Sequence, residues 1–249
     1  MLKIKDKVIG NGKPLVCVSV MDSEKDKIIE EVKRLVANGA EMIEWRVDAF
    51  SDVKNHDAVL EILQEVAPLT TKTIFIFTFR SKEQGGECSL SNDIIYELHQ
   101  VVAESKVVDF IDIEYFAVEN ADEKICNLKN MGVKVIASHH DFYKTPSSDV
   151  LFTLLEDMKQ GNVDIVKLAV MPNSTEDVLR LLTETNRFHE RYPDQPLVTM
   201  SMGKLGVISR VAGETFGSCV TFGAGKDVSA PGQVEMSKLK LILDALSGE

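Results

Sequence analysis

The chain has 249 residues, 44% of them hydrophobic and 27% charged, with a formal net charge of −11 at neutral pH. This length can bury a sizeable core, and (β/α)8 barrels of about 250 residues commonly fold as one domain. The acidic balance excludes a general binder of nucleic acid or anionic membrane, which needs clustered positive charge, but it admits a small anion held by a few local arginines.

In chain order, the opening KIKDKVIGNGKP reads as a β-hairpin around Asn11-Gly12, placed to close the bottom of a barrel. Eight short β-branched runs follow, at 15–20, 41–48, 73–80, 110–115, 134–140, 164–170, 196–202 and 219–223. Helical periodicity lies between them. In the segment from Ser23 to Gly39, Ile28, Ile29, Val32, Leu35 and Val36 share a stripe, with Ser23 as N-cap and Gly39 as the stop. Further helices fit 91–105, capped by Ser91, and 121–131, 147–160, 174–191 and 234–247. Alternating strands and helices imply βαβ units and a parallel sheet, and eight of them fit a closed (β/α)8 TIM barrel better than an open sheet. With no Pro/Gly/Ser linker in view, residues 1–249 read as a single catalytic barrel domain.

Cys17, Cys88, Cys126 and Cys219 are widely spaced and form no CxxC pair, so neither a disulfide framework nor a zinc cluster is expected. There is no apolar run of signal-peptide length and no stretch of ~18 apolar residues, so a cytoplasmic protein is expected.

Barrel strands should be mostly apolar inside, with chemistry at their C-terminal ends. Several runs break that rule. Glu44, Arg46 and Asp48 share one parity, which points three charges inward, either as an ion cluster or toward a ligand. Arg80 ends the third run, and Asp112 and Glu114 share a parity in the fourth. The fifth ends in Ser138-His139-His140-Asp141, where adjacent histidines project to opposite sides, so at most one lines the barrel. Lys167 lies in the apolar Ile165-Val166-Lys167-Leu168-Ala169-Val170. Burial disfavours its charge and favours the neutral amine that attacks a ketone. The competing reading pairs it with an interior carboxylate such as Glu44 or Glu114. Arg210 follows the seventh run, and the loop 223–233, with Ser229 and Gln233, suits a lid. Other readings of the same residues are a class I aldolase, a metal-dependent hydrolase using His139, His140 and Asp141, and a binding protein on a barrel scaffold.

The motifs VIGNGKPLVCVSV, EWRVD, TFRSKEQGG, SHHDF, VKLAVMP, MGKLGVISRVAGETFGS and SAPGQ, each tied to a different strand, closely resemble the type I 3-dehydroquinate dehydratases. That resemblance implies a (β/α)8 barrel with no metal or organic cofactor, acting as a homodimer on 3-dehydroquinate through a lysine imine. It implies that Lys167 forms the imine and that His140 is general base and acid. Glu44 and Arg46 take the places of an acidic partner and a substrate-binding arginine. Arg80 and Arg210 fall on substrate-site arginines, with Arg210 at the carboxylate. Ser229 and Gln233 fall on lid residues that contact substrate hydroxyls, and Ser19 looks like another polar contact. One departure stands out. The family often has Glu immediately before Gly-Gly, whereas this chain has Gln84, with Glu83 one position earlier. If that carboxylate orients the histidine, Glu44 must do so alone here, or the loop shifts.

Overall fold

A computed structural model describes residues 1–10, 12–226 and 229–248. Strands β1 (Leu2–Ile4) and β2 (Lys7–Ile9) form an antiparallel hairpin. Then follow β3 (Leu15–Val20), α1 (Lys25–Ala37), β4 (Met42–Arg46), α2 (His56–Val66), β5 (Ile74–Thr78), α3 (Asn92–Ser105), β6 (Phe110–Glu114), α4 (Ala121–Asn130) and β7 (Lys134–Asp141). The chain continues through α5 (Ser148–Gln160), β8 (Ile165–Val170), α6 (Thr175–Arg191), β9 (Leu197–Ser201), the short α7 (Val207–Val211) and α8 (Gly213–Phe216), β10 (Val220–Gly223) and α9 (Met236–Ser247). Strands β3 to β10 are parallel neighbours in one eight-stranded sheet, with β10 beside β3. A parallel bridge between Leu197 and Ser218, with Cys219 N–H donating to Leu197 O, joins β9 to the start of β10 and closes the ring.

The period-2 alternation of each strand separates two cores. Outward residues such as Val18, Trp45, Phe77, Ile111 and Leu168 pack under the helices. Inward residues of the lower barrel, among them Cys17, Met42, Ile76, Phe110, Ile136, Ile165 and Val198, pack on Ile4 and Ile9 of the hairpin. The hairpin therefore plugs the N-terminal end. Its Lys5 Nζ donates to Thr70 O and Thr73 O and pairs with Asp109 at 2.7 Å, just before β5 and β6.

All eight expected barrel strands are present, within a residue or two at each end. Two local expectations need correction. The hairpin turns at Lys5-Asp6, between the paired Ile4 and Lys7, not at Asn11-Gly12; Asn11 lies outside the described residues. Helix α1 is N-capped at Glu24, not Ser23, whose carbonyl accepts from Ser51 N–H instead. Ser91 caps α3 as expected, and Ser174 with Asp177 closes a full capping box on α6. The structure adds α2, where Asn55 caps a stripe of Val59, Ile62, Leu63 and Val66, together with α7 and α8.

Candidate active site

Above the apolar floor the barrel interior turns polar. Strand pairing sets Ser19 beside Glu44, Thr78 beside Asp112, Glu114 beside Ser138, and Ser138 beside Lys167. Inward parity then places Lys167 at the centre of the charged layer, 4% exposed. Its Nζ lies 3.2 Å from Asp112 Oδ2 and 3.4 Å from Glu44 Oε1, and 4.5 Å from the centroid of the Phe222 ring. The expectation that burial alone governs this amine therefore needs correction, because two carboxylates flank it. One is Glu44, as the pairing reading anticipated. The other is Asp112 and not Glu114, which instead accepts from Arg80 and from Ser81 N–H.

The carboxylates are stabilised unequally. Burial pushes Glu44 upward, but Lys167 and Arg46 outweigh it and hold the group below its ordinary value. Asp112 also suffers burial, and Arg80, Lys167 and the Ser138 hydroxyl bring it to about 2. Arg80 donates to Asp112 at 2.8 Å, to Ser138 at 2.9 Å and to Glu114 at 3.1 Å. Despite the cost of burial, those anions raise its affinity for the proton. Arg46 forms a two-pronged pair with Asp48, both bonds 2.8 Å. Asp48 is thus not a further inward charge of β4. It sits in the 3-10 turn Val47–Ala49 and also accepts from the Arg80 and Glu87 backbone N–H groups, fixing the loop after β5.

That loop carries Gln84, and Gln84 settles which group faces the histidine. Its Oε1 accepts from His140 N–H at 2.8 Å and lies 3.0 Å from His140 Nδ1. An oxygen already accepting a backbone N–H is an acceptor for Nδ1–H too, so Nε2 is left as the basic nitrogen. Glu44 does not take this role. Its oxygens accept from Ser19 at 2.6 Å and Thr78 at 3.0 Å, and Glu83 is exposed. The two glycines are required for this geometry. Gly85 has φ +87, and a Cβ on it would overlap the Phe142 ring; a Cβ on Gly86 would overlap the Arg80 carbonyl. Phe142 in turn stacks near His140, with centroids 6.4 Å apart and planes 22° apart. Burial, followed by the nearby cations Arg80, Lys167 and Arg46, drives the His140 pKa well below its usual range. The resting imidazole is uncharged. His139 projects outward against Phe116, with ring centroids 5.3 Å apart, as the alternation requires.

Arg210 on α7 is 1% exposed and pairs with no carboxylate among the described residues. It donates to Phe222 O at 3.3 Å and Pro231 O at 3.0 Å, its Nε has no hydrogen-bond partner among the described residues, and burial pulls its pKa down to about 10. The loop after β10 lies over the site. Ser229 Oγ donates to Ser19 Oγ at 3.1 Å, Gln233 Nε2 donates to Ser229 Oγ at 2.8 Å, and Pro231 O also accepts from Gly203 N–H. Asp227 and Val228 of the expected lid lie outside the described residues.

Beneath this cover is a cavity of about 40 Å³. It is lined by Glu44, Arg46, Arg80, Gln84, His140, Lys167, Ser229 and Gln233, with an apolar wall that includes Phe142, Met200, Met202 and Phe222. Seven of the nine residues singled out from sequence line it. Ser19 and Arg210 stand one contact behind, against Ser229 and against the Phe222 and Pro231 carbonyls. Gln84, Asp112 and Phe142 were not among those nine. Asp112 was within reach of the parity argument, since it alternates with Glu114 on an inward face. Among the described residues, no three His, Cys, Asp or Glu side chains are grouped to hold a metal ion.

Fold and site together define a (β/α)8-barrel protein with a buried lysine and an uncharged histidine in one lidded strand-end cavity. The family model described as Type I 3-dehydroquinase matches residues 16–249, and the chain belongs to that family. It is 41% identical over 246 residues to the 3-dehydroquinate dehydratase of Clostridioides difficile strain 630, covering 98% of this chain and 96% of that one. It is 41% identical over 247 residues to the enzyme of that name from Escherichia coli strain SE11, covering 98% and 97%. Among solved structures, a type I 3-dehydroquinate dehydratase from Clostridium difficile, with covalent-modified comenic acid, superposes with a TM-score of 0.94 at 40% identity, covering 99% of this chain and 97% of that one. The 3-dehydroquinate dehydratase of Geobacillus kaustophilus HTA426 gives 0.95 at 31% identity, covering 99% and 96%.

Proposed function

We propose that this barrel dehydrates 3-dehydroquinate to 3-dehydroshikimate through an imine on Lys167, with His140 as base and acid. The observation that carries the reading is a buried lysine and an uncharged histidine lining one cavity in a chain of the type I family. The Lys167 ammonium first loses a proton, for which uncharged His140 is the acceptor in the same cavity. The amine then attacks the C3 carbonyl carbon. A C–N bond forms as an amine proton passes to the carbonyl oxygen, and the carbinolamine hydroxyl then leaves as water with the proton that His140 had taken, giving a protonated imine and an uncharged His140. That cation acidifies C2–H. His140 Nε2 takes this proton, and the C–H electrons pass into an enamine. The enamine expels the C1 hydroxyl, which departs as water with the proton from His140, and the iminium re-forms in conjugation. Water adds to it, the C–N bond breaks, and product and amine separate. One base serving both carbons on one face gives syn elimination.

Arg210 suits the substrate carboxylate because it is a buried cation with an unused donor and no anion beside it among the described residues. Ser229, Gln233, Ser19 and Arg46 supply polar contacts for the ring hydroxyls, and Glu44 is the acidic neighbour of the imine nitrogen. Arg80 acts through Asp112 and Glu114 instead of on the substrate. A cavity of about 40 Å³ holds only a few waters, so the lid lifts to admit a six-membered ring. The reading extends to a cytoplasmic homodimer, which sedimentation of the purified protein tests as a doubled mass.

The experiment is borohydride reduction in the presence of 3-dehydroquinate, read by intact mass. The wild-type protein gains one covalent adduct and loses activity, and Lys167→Ala gains none and does not turn over. An unchanged wild-type mass sinks the imine proposal. His140→Ala retains the adduct while kcat falls on the order of 10³-fold.

A further inference from the structure

We infer that Asp112 is the fixed counter-ion of the Lys167 nitrogen, holding a positive charge there in the ammonium and again in the iminium; this rests on the imine reading above. Two carboxylates flank Nζ at similar distances, Asp112 at 3.2 Å and Glu44 at 3.4 Å, but they are braced by different chemistry. Glu44 is held by hydroxyls, Ser19 and Thr78, and Ser19 is itself touched by Ser229 of the lid. Asp112 is held on its other oxygen by the Arg80 guanidinium at 2.8 Å and the Ser138 hydroxyl at 2.5 Å, which leaves Oδ2 for Lys167. Arg80 is locked in turn by Glu114 and Ser138.

Asp112 is fully buried in the middle of β6, so it cannot swing to water. Arg80 and Lys167 overcome its burial and keep it ionised down to about pH 2, so it does not serve as a proton acceptor. The titratable groups facing the pair are Cys17 on β3, Glu44 on β4, Arg80 on β5, His140 on β7, and His99 on α3 behind the sheet. Of the two carboxylates at the nitrogen, Asp112 alone is pinned by a cation. In the elimination, charge leaves the nitrogen when the enamine forms and returns when the hydroxyl departs. A preorganised anion beside the nitrogen favours both cationic states without reorganising.

The test uses Asp112→Asn and, as a milder second variant that leaves both ions in place, Ser138→Ala. Borohydride trapping with 3-dehydroquinate is followed across pH by intact mass, alongside kcat and KM. In Asp112→Asn the trapping midpoint moves to lower pH, because less anion retains the ammonium proton. At the same time kcat falls on the order of 10²-fold, and KM changes by less than about threefold. Ser138→Ala moves both quantities in the same direction by less. Easier imine formation combined with slower turnover is a split that loss of structure alone does not produce. The inference is overturned if the midpoint stays in place in both variants, or if KM rises while kcat is kept. Should Asp112→Asn fail to fold, the midpoint of Ser138→Ala decides. Absence of any adduct in the wild-type protein would instead overturn the imine itself.

Discussion

Arg80 and Arg210 are both almost fully buried at the C-terminal end of the barrel, yet their surroundings are opposite. Arg80, after β5, is matched by Asp112, Glu114 and Ser138, and its neighbours raise its affinity for the proton. Arg210, after β9, is matched among the described residues only by the Phe222 and Pro231 carbonyls and the Met200 sulfur, and burial lowers its pKa to about 10. The β5–β7 side of the site is thus charge-balanced, with cations and anions pinned to each other. The side beneath the lid carries an unbalanced cation. A buried charge without a counter-ion costs stability, and an incoming carboxylate would relieve that cost. One side is built to hold its shape, and the other to bind.

Removing each arginine tests that contrast most severely. Arg80→Ala strands Asp112 and Glu114 without their cation and is expected to cost about 3–5 kcal/mol, lowering Tm by roughly 10 °C in thermal unfolding. Arg210→Met removes an unbalanced charge and leaves Tm unchanged or higher. Its cost appears in catalysis, where kcat/KM for 3-dehydroquinate falls by about 3–4 kcal/mol, mostly through KM. Equal losses of Tm in the two variants would erase the distinction.

The balanced side also has a titratable back wall. His99 on α3 is buried against Phe77, its Nε2 has no hydrogen-bond partner among the described residues, and burial, opposed by the charge of Asp112, lowers its pKa from 6.5 to about 4. Above pH 6.5 the ring is neutral in both folded and unfolded chains and contributes no pH dependence. Between 6.5 and about 4 the unfolded chain binds the proton more readily, so stability falls as pH drops through this window and levels off below it. The loss is on the order of 3 kcal/mol. Urea midpoints at pH 7 and pH 4.5 in the wild type and in His99→Phe measure it: the variant should lose this ring's share of the pH dependence and keep the share that the likewise depressed His140 contributes. A wild-type midpoint independent of pH over that window would show that the ring is not buried neutral.

How much of this was legible beforehand depended on whether one strand could answer the question. Within single runs, the apolar flanks of Lys167 marked it as buried, and parity set Glu44 and Arg46 facing in and sent His139 and His140 to opposite sides, leaving the family resemblance to pick His140. Parity could not distinguish Arg80 from Arg210, because their partners come from other strands and from a loop whose stagger the sequence does not display. The hairpin failed for a related reason. Local turn chemistry favoured Asn11-Gly12, but the turn falls at Lys5, whose φ of 56° is unfavourable for a residue with a Cβ. Three contacts from Lys5 Nζ to Thr70, Thr73 and Asp109 offset that cost from outside the hairpin. Gln84 was visible only as a departure from the family pattern. Its direction is set by Gly85, Gly86 and the remote anchor Asp48.

Gln84 also offers the finest test of the balanced side, because it contacts the base without carrying charge. The amide orients His140 and selects the Nδ1–H tautomer, but unlike a carboxylate it does not stabilise an imidazolium. Gln84→Glu keeps the shape and adds an anion beside Nδ1. An opposite charge at this distance raises an imidazole pKa by at least about one unit. A base with a higher pKa is protonated at higher pH, so the acid limb of kcat/KM should move upward by about one unit. Gln84→Ala should leave that limb near its original place, since no charge changes, while lowering kcat roughly tenfold through loss of orientation. A limb that does not move in Gln84→Glu would mean that Nδ1 is not the nitrogen facing this side chain. The tautomer assigned to His140, with Nε2 as the base, would then have to be reversed.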